Sequence, residues 1–238
     1  MSQDVQRQFF DKLAARYDGR YLRARWPRNQ ALKARVVARA VGTAIERGPV
    51  VEVGCGTGQI AELLLRSHPE LRYVGLDLSE PMLDVARSRL ERFADRAELR
   101  VVAGDDLPLA EATYAAAFGV DVLHHVDDQT RLLRALRAAL APGATVVFLE
   151  GNPRFPLATL LALVQREERG LLQIGFGNLR RWFEDAGLED VGVAYGPLYT
   201  PPGPARVEPA LDAVDRAIGR VPFLRALAIF LIAEGRAP

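Results

Sequence analysis

VVEVGCGTGQ, residues 50–59, decides the fold: an apolar, β-rich run ends in Glu52 and Val53 and passes at once into Gly54, Gly56 and Gly58. Three glycines at alternate positions leave a backbone that a ligand can approach closely. Residues 58–67 then carry apolar positions at helical spacing, so the glycines join a strand to a helix, the context in which such a loop has meaning. Gln59 stands where the third glycine of a dinucleotide fingerprint would be, which makes the fit to a pyrophosphate loop imperfect.

Outward from this loop, β-rich runs alternate with helical stretches. Residues 71–77 read as a strand followed by a helix from Ser79 with Pro81 in its first turn. Residues 98–104, 114–123 and 144–150 read as further strands, with a helix over 128–140. Such alternation predicts an α/β, doubly wound parallel sheet covered by helices on both faces. Upstream, residues 4–17 and 29–47 carry helical periodicity and end near Gly19 and Gly48. Downstream come an apolar segment at 155–164, a helix at 178–187, two strands at 191–196 and 226–235, and a helix near 207–219 after a proline-rich loop. One domain is expected, divided into a helical cap (1–48), a ligand-binding core (49–150) and a substrate-side insert with C-terminal strands (151–238).

Composition narrows the class. With 238 residues, 49% of them hydrophobic, the chain can bury one sizeable core. A net charge of +1 gives no global signature of a nucleic-acid binder, and none is expected as a partner. Charge is uneven, however: residues 1–48 hold eleven Lys/Arg against four Asp/Glu, about +7, and the remainder is about −6. The single cysteine, Cys55, cannot form an internal disulfide, which points to a reducing cytoplasm. Three histidines offer no zinc set at the usual spacing, so no metal is expected. No apolar run reaches the ~20 residues of a membrane span.

In a parallel sheet the strand ends share one carboxyl edge, where ligands bind. Glu52, Asp77, Asp105, Asp106 and Asp121 all fall at such ends, and a rim this acidic repels a diphosphate. It suits a cation attached to a nucleoside. Asp77 lies nineteen positions beyond Gly58, close to the ~20 at which a carboxylate accepts ribose hydroxyls.

Together with the loop, LDLSEPMLDVAR (76–87), VVAGDDLPL (101–109), FGVDVLHHVDD (118–128) and LRAALAPGATVVFLE (136–150) resemble the class I S-adenosylmethionine-dependent methyltransferases. FFDKLAARYD (9–18) is similar to the opening of the ubiquinone/menaquinone-biosynthesis type, where this segment closes over the cofactor. The resemblance implies a seven-stranded sheet of order 3-2-1-4-5-7-6 with the last strand antiparallel. It also implies S-adenosylmethionine as cofactor, with S-adenosylhomocysteine as product. Gly54, Cys55 and Gly56, with Gln59 beside them, would line the methionine moiety, Asp77 would hold the ribose, and Glu52 with the loop carbonyls can hold the ammonium. Leu78 and Met82 would border adenine, and Asp105, Asp106 and Leu107 would bind its amino edge. Val120 or Asp121 would face the sulfonium, and Tyr17 would cover the pocket.

Methyl transfer from a sulfonium needs in-line placement and removal of a proton from the acceptor. His125 is the candidate base, with Glu150 as its orienter or rival. The acceptor is expected to be a small molecule, a natural product or a lipid- or glycan-linked metabolite, O-methylation being favoured slightly over N- or C-. The segment 155–164 reads either as an apolar lid for such an acceptor or as an ordinary core helix. Arg16, Arg20, Arg23, Arg25 and Arg28 read as a solvated charged face, or as a patch for an anionic acceptor or a phospholipid surface. The alternatives are an NAD(P)-dependent oxidoreductase on a Rossmann sheet and a non-catalytic cofactor-binding module. Oligomeric state stays open.

Overall fold

A computed structural model describes residues 3–22, 26–102, 107–197, 210, 213–214, 217–226 and 228–238. Seven strands form a single sheet of order β3-β2-β1-β4-β5-β7-β6. They are β1 (Val50–Val53), β2 (Tyr73–Asp77), β3 (Ala97–Val101), β4 (Tyr114–Val120), β5 (Leu140–Gly151), β6 (Glu189–Tyr195) and β7 (Phe230–Arg236). The first five pair in parallel, and β7 runs antiparallel to both β5 and β6. The expected order and the antiparallel last strand are therefore present.

Every residue of β1 is buried, as its position at the centre of the parallel set requires. One face of the sheet packs against α6 (Gln129–Ala139) and α8 (Phe176–Asp185) through Leu132, Leu136, Leu179 and Phe183. The other packs against α2 (Trp26–Val41), α4 (Gln59–Ser67) and α5 (Glu80–Leu90) through Val37, Leu64 and Leu83. Helix α1 (Gln3–Leu22) lies against α5. Ser79 caps α5 by accepting from the Met82 N–H, and Asp128 caps α6 by accepting from the Arg131 N–H.

Several boundaries differ from the sequence reading: α1 runs on to Leu22 rather than 17, β5 begins at Leu140 rather than 144, and three others stand out. The helix expected over 29–47 is broken at Gly42, whose φ of +46° lies in the left-handed region, and continues only as the short α3 (Ala44–Arg47). The fourth strand stops at Val120, and a 3-10 turn, Leu123–His125, follows it. The last strand begins at Phe230 rather than 226, because a helical turn, Pro222–Arg225, precedes it and the Asn152 amide donates to the carbonyls of Ala226 and Ala228. Most of the helix expected near 207–219 lies outside the described residues. Among the described residues no helix is long and apolar enough to cross a membrane.

Candidate active site

The glycine loop turns at the carboxyl end of β1 with φ of +70°, +52° and +74° at Gly54, Gly56 and Gly58. At Gly54 the need for glycine is double, since a Cβ there would also lie 2.5 Å from Val122 Cγ2. Asp77, at the end of β2, accepts from the Gly56 N–H at 2.7 Å and the Ser79 N–H at 3.0 Å. Burial raises its carboxyl above the usual range, and these N–H groups oppose the rise.

The loop borders a cavity of about 500 Å³. Of the residues singled out in the sequence, Tyr17, Glu52, Gly54, Cys55, Gly56 and Gln59 line it on one side. Asp77, Leu78, Met82, Leu107, Val120, Asp121 and His125 complete the set around it. Glu150 is fully buried behind the His124 ring. Asp105 and Asp106 lie outside the described residues, as do the side chains of Arg20, Arg23, Arg25 and Arg28; Arg16 is exposed.

The acidic rim is weaker than its residue types suggest. Glu52 is buried and accepts from the Tyr73 hydroxyl at 2.5 Å, and desolvation pushes its carboxyl up to about 8, so it is largely protonated at neutral pH. Asp121 is neutralised by Lys33, a buried lysine that α2 points at the end of β4. Burial, with Asp77 and Glu52 nearby, raises the Cys55 thiol well above its usual range, which makes it a small packed residue and a poor nucleophile.

What replaces the rim is a set of unshared oxygens. Six buried side-chain polar atoms lack a hydrogen-bond partner among the described residues, and five line the cavity: Gln6 Oε1, Asn29 Oδ1, Gln30 Oε1, Gln59 Oε1 and His125 Nδ1. Four are amide carbonyl oxygens carried by α1, α2 and α4. Buried acceptors without donors are costly, and they are satisfied by a ligand rich in N–H groups.

Helix α1 closes this side through contacts that the sequence did not announce. Asp18 accepts from the Thr57 hydroxyl at 2.8 Å and the Gln59 amide at 2.6 Å, and pairs with Arg89 on α5. Asp11 accepts from the Ser79 hydroxyl at 2.6 Å. An N-cap serine and a glycine-loop threonine are local signals; their partners 39 and 68 positions away are not.

At the opposite end, Glu150 does not orient His125. Its Oε1 accepts from the backbone N–H groups of Val122 and Leu123, and its Oε2 meets His124 Nδ1 at 2.6 Å. The expected pairing fails because the 3-10 turn directs the first imidazole of the pair, not the second, at the end of β5. Burial works against a charged His124, yet Glu150 and Glu168 outweigh it and raise the imidazole to about 10. His125, desolvated and beside His124, is held well below the ordinary histidine range and stays neutral. Phe10 meets its ring edge-on at 5.2 Å.

Helix α7 (Pro156–Val164) borders the same cavity as the histidines, and of its residues only Ala162 is fully buried. Leu157, Leu160, Leu163 and Val164 are 63%, 57%, 61% and 74% exposed, while Leu157, Ala158 and Leu161 also line the cavity. An ordinary core helix is therefore not what this segment forms. Arg154 donates to the Tyr195 hydroxyl at 2.8 Å, away from the histidine pair.

Residues 51–146 match the family model described as a methyltransferase domain. Over 145 residues the chain is 33% identical to the ubiquinone/menaquinone biosynthesis C-methyltransferase of Desulfotalea psychrophila, covering 60% of this chain and 57% of that protein. It is 31% identical over 163 residues to the ubiquinone biosynthesis O-methyltransferase of Xanthomonas axonopodis pv. citri, covering 64% and 66%. The chain thus spans less than two thirds of these relatives. Among solved structures, a Thermotoga maritima methyltransferase described as a possible histamine N-methyltransferase superposes with a TM-score of 0.65 at 18% identity, covering 98% of this chain and 99% of that one. The geranyl diphosphate C-methyltransferase of Streptomyces coelicolor gives 0.60 at 18% identity, covering 90% and 81%. At these identities the structures attest the fold. The oxidoreductase alternative finds no support among these matches.

Proposed function

We propose that the chain, which matches a methyltransferase-domain model over residues 51–146 and resembles methyltransferases over part of their length, is a class I S-adenosylmethionine-dependent methyltransferase that transfers a methyl group from S-adenosylmethionine to a small molecule with an apolar body. The observation that carries this reading is the cavity's surplus of buried acceptors. Four orphan amide oxygens and the Asp77 carboxylate surround a space whose unmet need is for donors and positive charge. A ligand with an ammonium group, a ribose diol and a sulfonium meets that need; a diphosphate does not. When bound, the cofactor supplies a methyl group already activated by the sulfonium.

In this reading Asp77 holds the ribose, exchanging its bonds to the loop N–H groups for hydroxyls. Gly54, Cys55 and Gly56 admit the methionine chain at backbone distance, and Gln59 turns its unshared oxygen toward the ammonium. Leu78, Met82 and Leu107 flank the adenine. Tyr17 and Phe10, on α1, exclude water from above. His124 and His125 face the acceptor, whose apolar body lies against Phe155, Leu161 and Leu171. Residues 1–48 then act as cap, 49–150 as donor site and 151–238 as acceptor side. Lipid-linked acceptors and a cytoplasmic setting belong to the same proposal.

The test has two parts. Calorimetry should detect S-adenosylhomocysteine binding and no NAD binding. Incubation of a metabolite extract with isotopically labelled methyl donor should then yield a labelled product, which His125→Ala reduces far more than it reduces S-adenosylhomocysteine affinity. Absence of S-adenosylhomocysteine binding by folded protein would refute the proposal.

A further inference from the structure

We infer that the acceptor end of the cavity is a divalent-cation site, in which His124 Nε2, His125 Nδ1 and the Glu168 carboxylate hold one first-row transition ion of the Zn²⁺ type. One ligand atom from each of these residues lies within 4.8 Å of the others, and all three residues line the cavity. His124 Nε2 and Glu168 Oε2 are 3.4 Å apart. Tetrahedral zinc with bonds of about 2.0–2.1 Å separates its ligand atoms by roughly 3.3–3.4 Å, so this pair already stands at the spacing an ion imposes.

The surroundings are those of ligands rather than of a chance cluster. His124 presents Nδ1 to Glu150 at 2.6 Å, the carboxylate–histidine arrangement that directs Nε2 at a metal once the ion displaces the Nε2 proton shared with Glu168. Glu150 is itself held by two backbone N–H groups. His125 is bonded to the Glu167 backbone, while its Nδ1 is buried and has no partner, an unshared pair turned to no protein donor. Glu168 sits on the 3-10 segment Arg166–Gln173, which lies directly on the histidine turn. That approach is possible only because residue 170 is glycine: a Cβ there would lie 1.8 Å from the His124 carbonyl oxygen. Two imidazoles and one carboxylate suit Zn²⁺ or Fe²⁺ better than Mg²⁺, and three protein ligands leave one position open toward the acceptor. Glu168 is 43 positions beyond His125 in the chain, so no local spacing shows the set.

Only the use of the open position rests on the methyltransferase reading. An acceptor hydroxyl bound there gives up its proton to solvent. Its oxygen forms the O–CH₃ bond as the donor's S–CH₃ bond breaks, leaving a neutral thioether. An oxygen or sulfur acceptor is thereby favoured.

The experiment is titration of the full chain, stripped of metal, with Zn²⁺ against a chromophoric chelator, with Co²⁺ absorption as the coordination readout. One equivalent should bind. Glu168→Gln and His125→Ala should each weaken binding at least about tenfold and alter the Co²⁺ bands, and Glu150→Gln should weaken it about 10–100-fold by releasing His124. Stoichiometric binding indifferent to all three substitutions, or no stoichiometric binding, overturns the site. S-adenosylhomocysteine affinity is measured on the same samples: its absence beside intact Zn²⁺ binding refutes the methyltransferase reading and leaves the ion site standing, while the reverse result removes the ion site alone.

Discussion

Asp18 ties α1 to the glycine loop, and its removal should loosen the grip on the donor. Its carboxylate receives the Thr57 hydroxyl and the Gln59 amide and pairs with Arg89. A hydrogen bond to a charged group contributes ~1.5–3 kcal/mol when shielded. Here the Asp18 side chain is 25% exposed and Arg89 is partly in water, so about 1 kcal/mol for each of three contacts is the better figure. Asp18→Ala then weakens the docked position of α1 by about 2–3 kcal/mol, which raises the apparent dissociation constant for S-adenosylhomocysteine by up to about 30–150-fold. Asp18→Asn keeps an acceptor for Thr57 and Gln59 and gives up the ion pair, a loss of about 1 kcal/mol, or roughly fivefold. Calorimetry gives the affinities, stopped-flow release gives the off-rates, and hydrogen exchange over residues 3–22 should quicken in the same order. If both variants bind and release the ligand like the parent while exchange in α1 is unchanged, Asp18 does not hold the helix down.

Three further outcomes follow from other parts of the site. Asp77→Asn should lose about 1.5–3 kcal/mol of S-adenosylhomocysteine affinity, because the amide gives up the negative charge and puts an NH₂ donor where the second carboxylate oxygen accepted; an unchanged calorimetric affinity would put the ribose elsewhere. Glu52, with its folded pKa near 8 against an ordinary value of 4.5, binds a proton in the folded state that the unfolded chain has released. Its stabilising contribution is whole below about pH 4.5 and is lost as pH rises through 8, so the melting temperature should fall across that window, and Glu52→Gln should flatten the slope by an amount on the order of a few kcal/mol at pH 8. Parallel slopes for parent and variant would exclude an unusual Glu52. Gly170→Ala must push the 166–173 segment off the His124 carbonyl, at about 1–3 kcal/mol in stability and with faster exchange confined to that segment; a silent substitution would mean that the contact is not close.

The sheet was readable in one dimension because its determinants are local. The apolar run of β1, the alternate glycines, the caps at Ser79 and Asp128 and the period of each helix lie within a few residues of one another. The resemblance supplied the strand order, which the register of the seven strands bears out. Element ends were less legible: the break at Gly42 and the late start of β7 depend on a backbone angle and on the Asn152 amide, and neither leaves a period.

Charge was legible as residue type but not as state. Glu52, Asp77 and Asp121 each read as a carboxylate at a strand end, yet burial protonates the first, loop N–H groups engage the second and Lys33 neutralises the third. Ionisation is set by desolvation and by partners within a few ångströms, and those come from segments 21 and 88 positions away. The same reason explains why a lone pair of histidines became a cluster: folding set Glu150 behind one ring and laid Glu168 over both. The amino-acid order determined the layers, the loop and the sheet edge that the cavity borders. Only the packed chain decided which polar atoms there are charged, which are paired and which still lack a partner, because these depend on the removal of water.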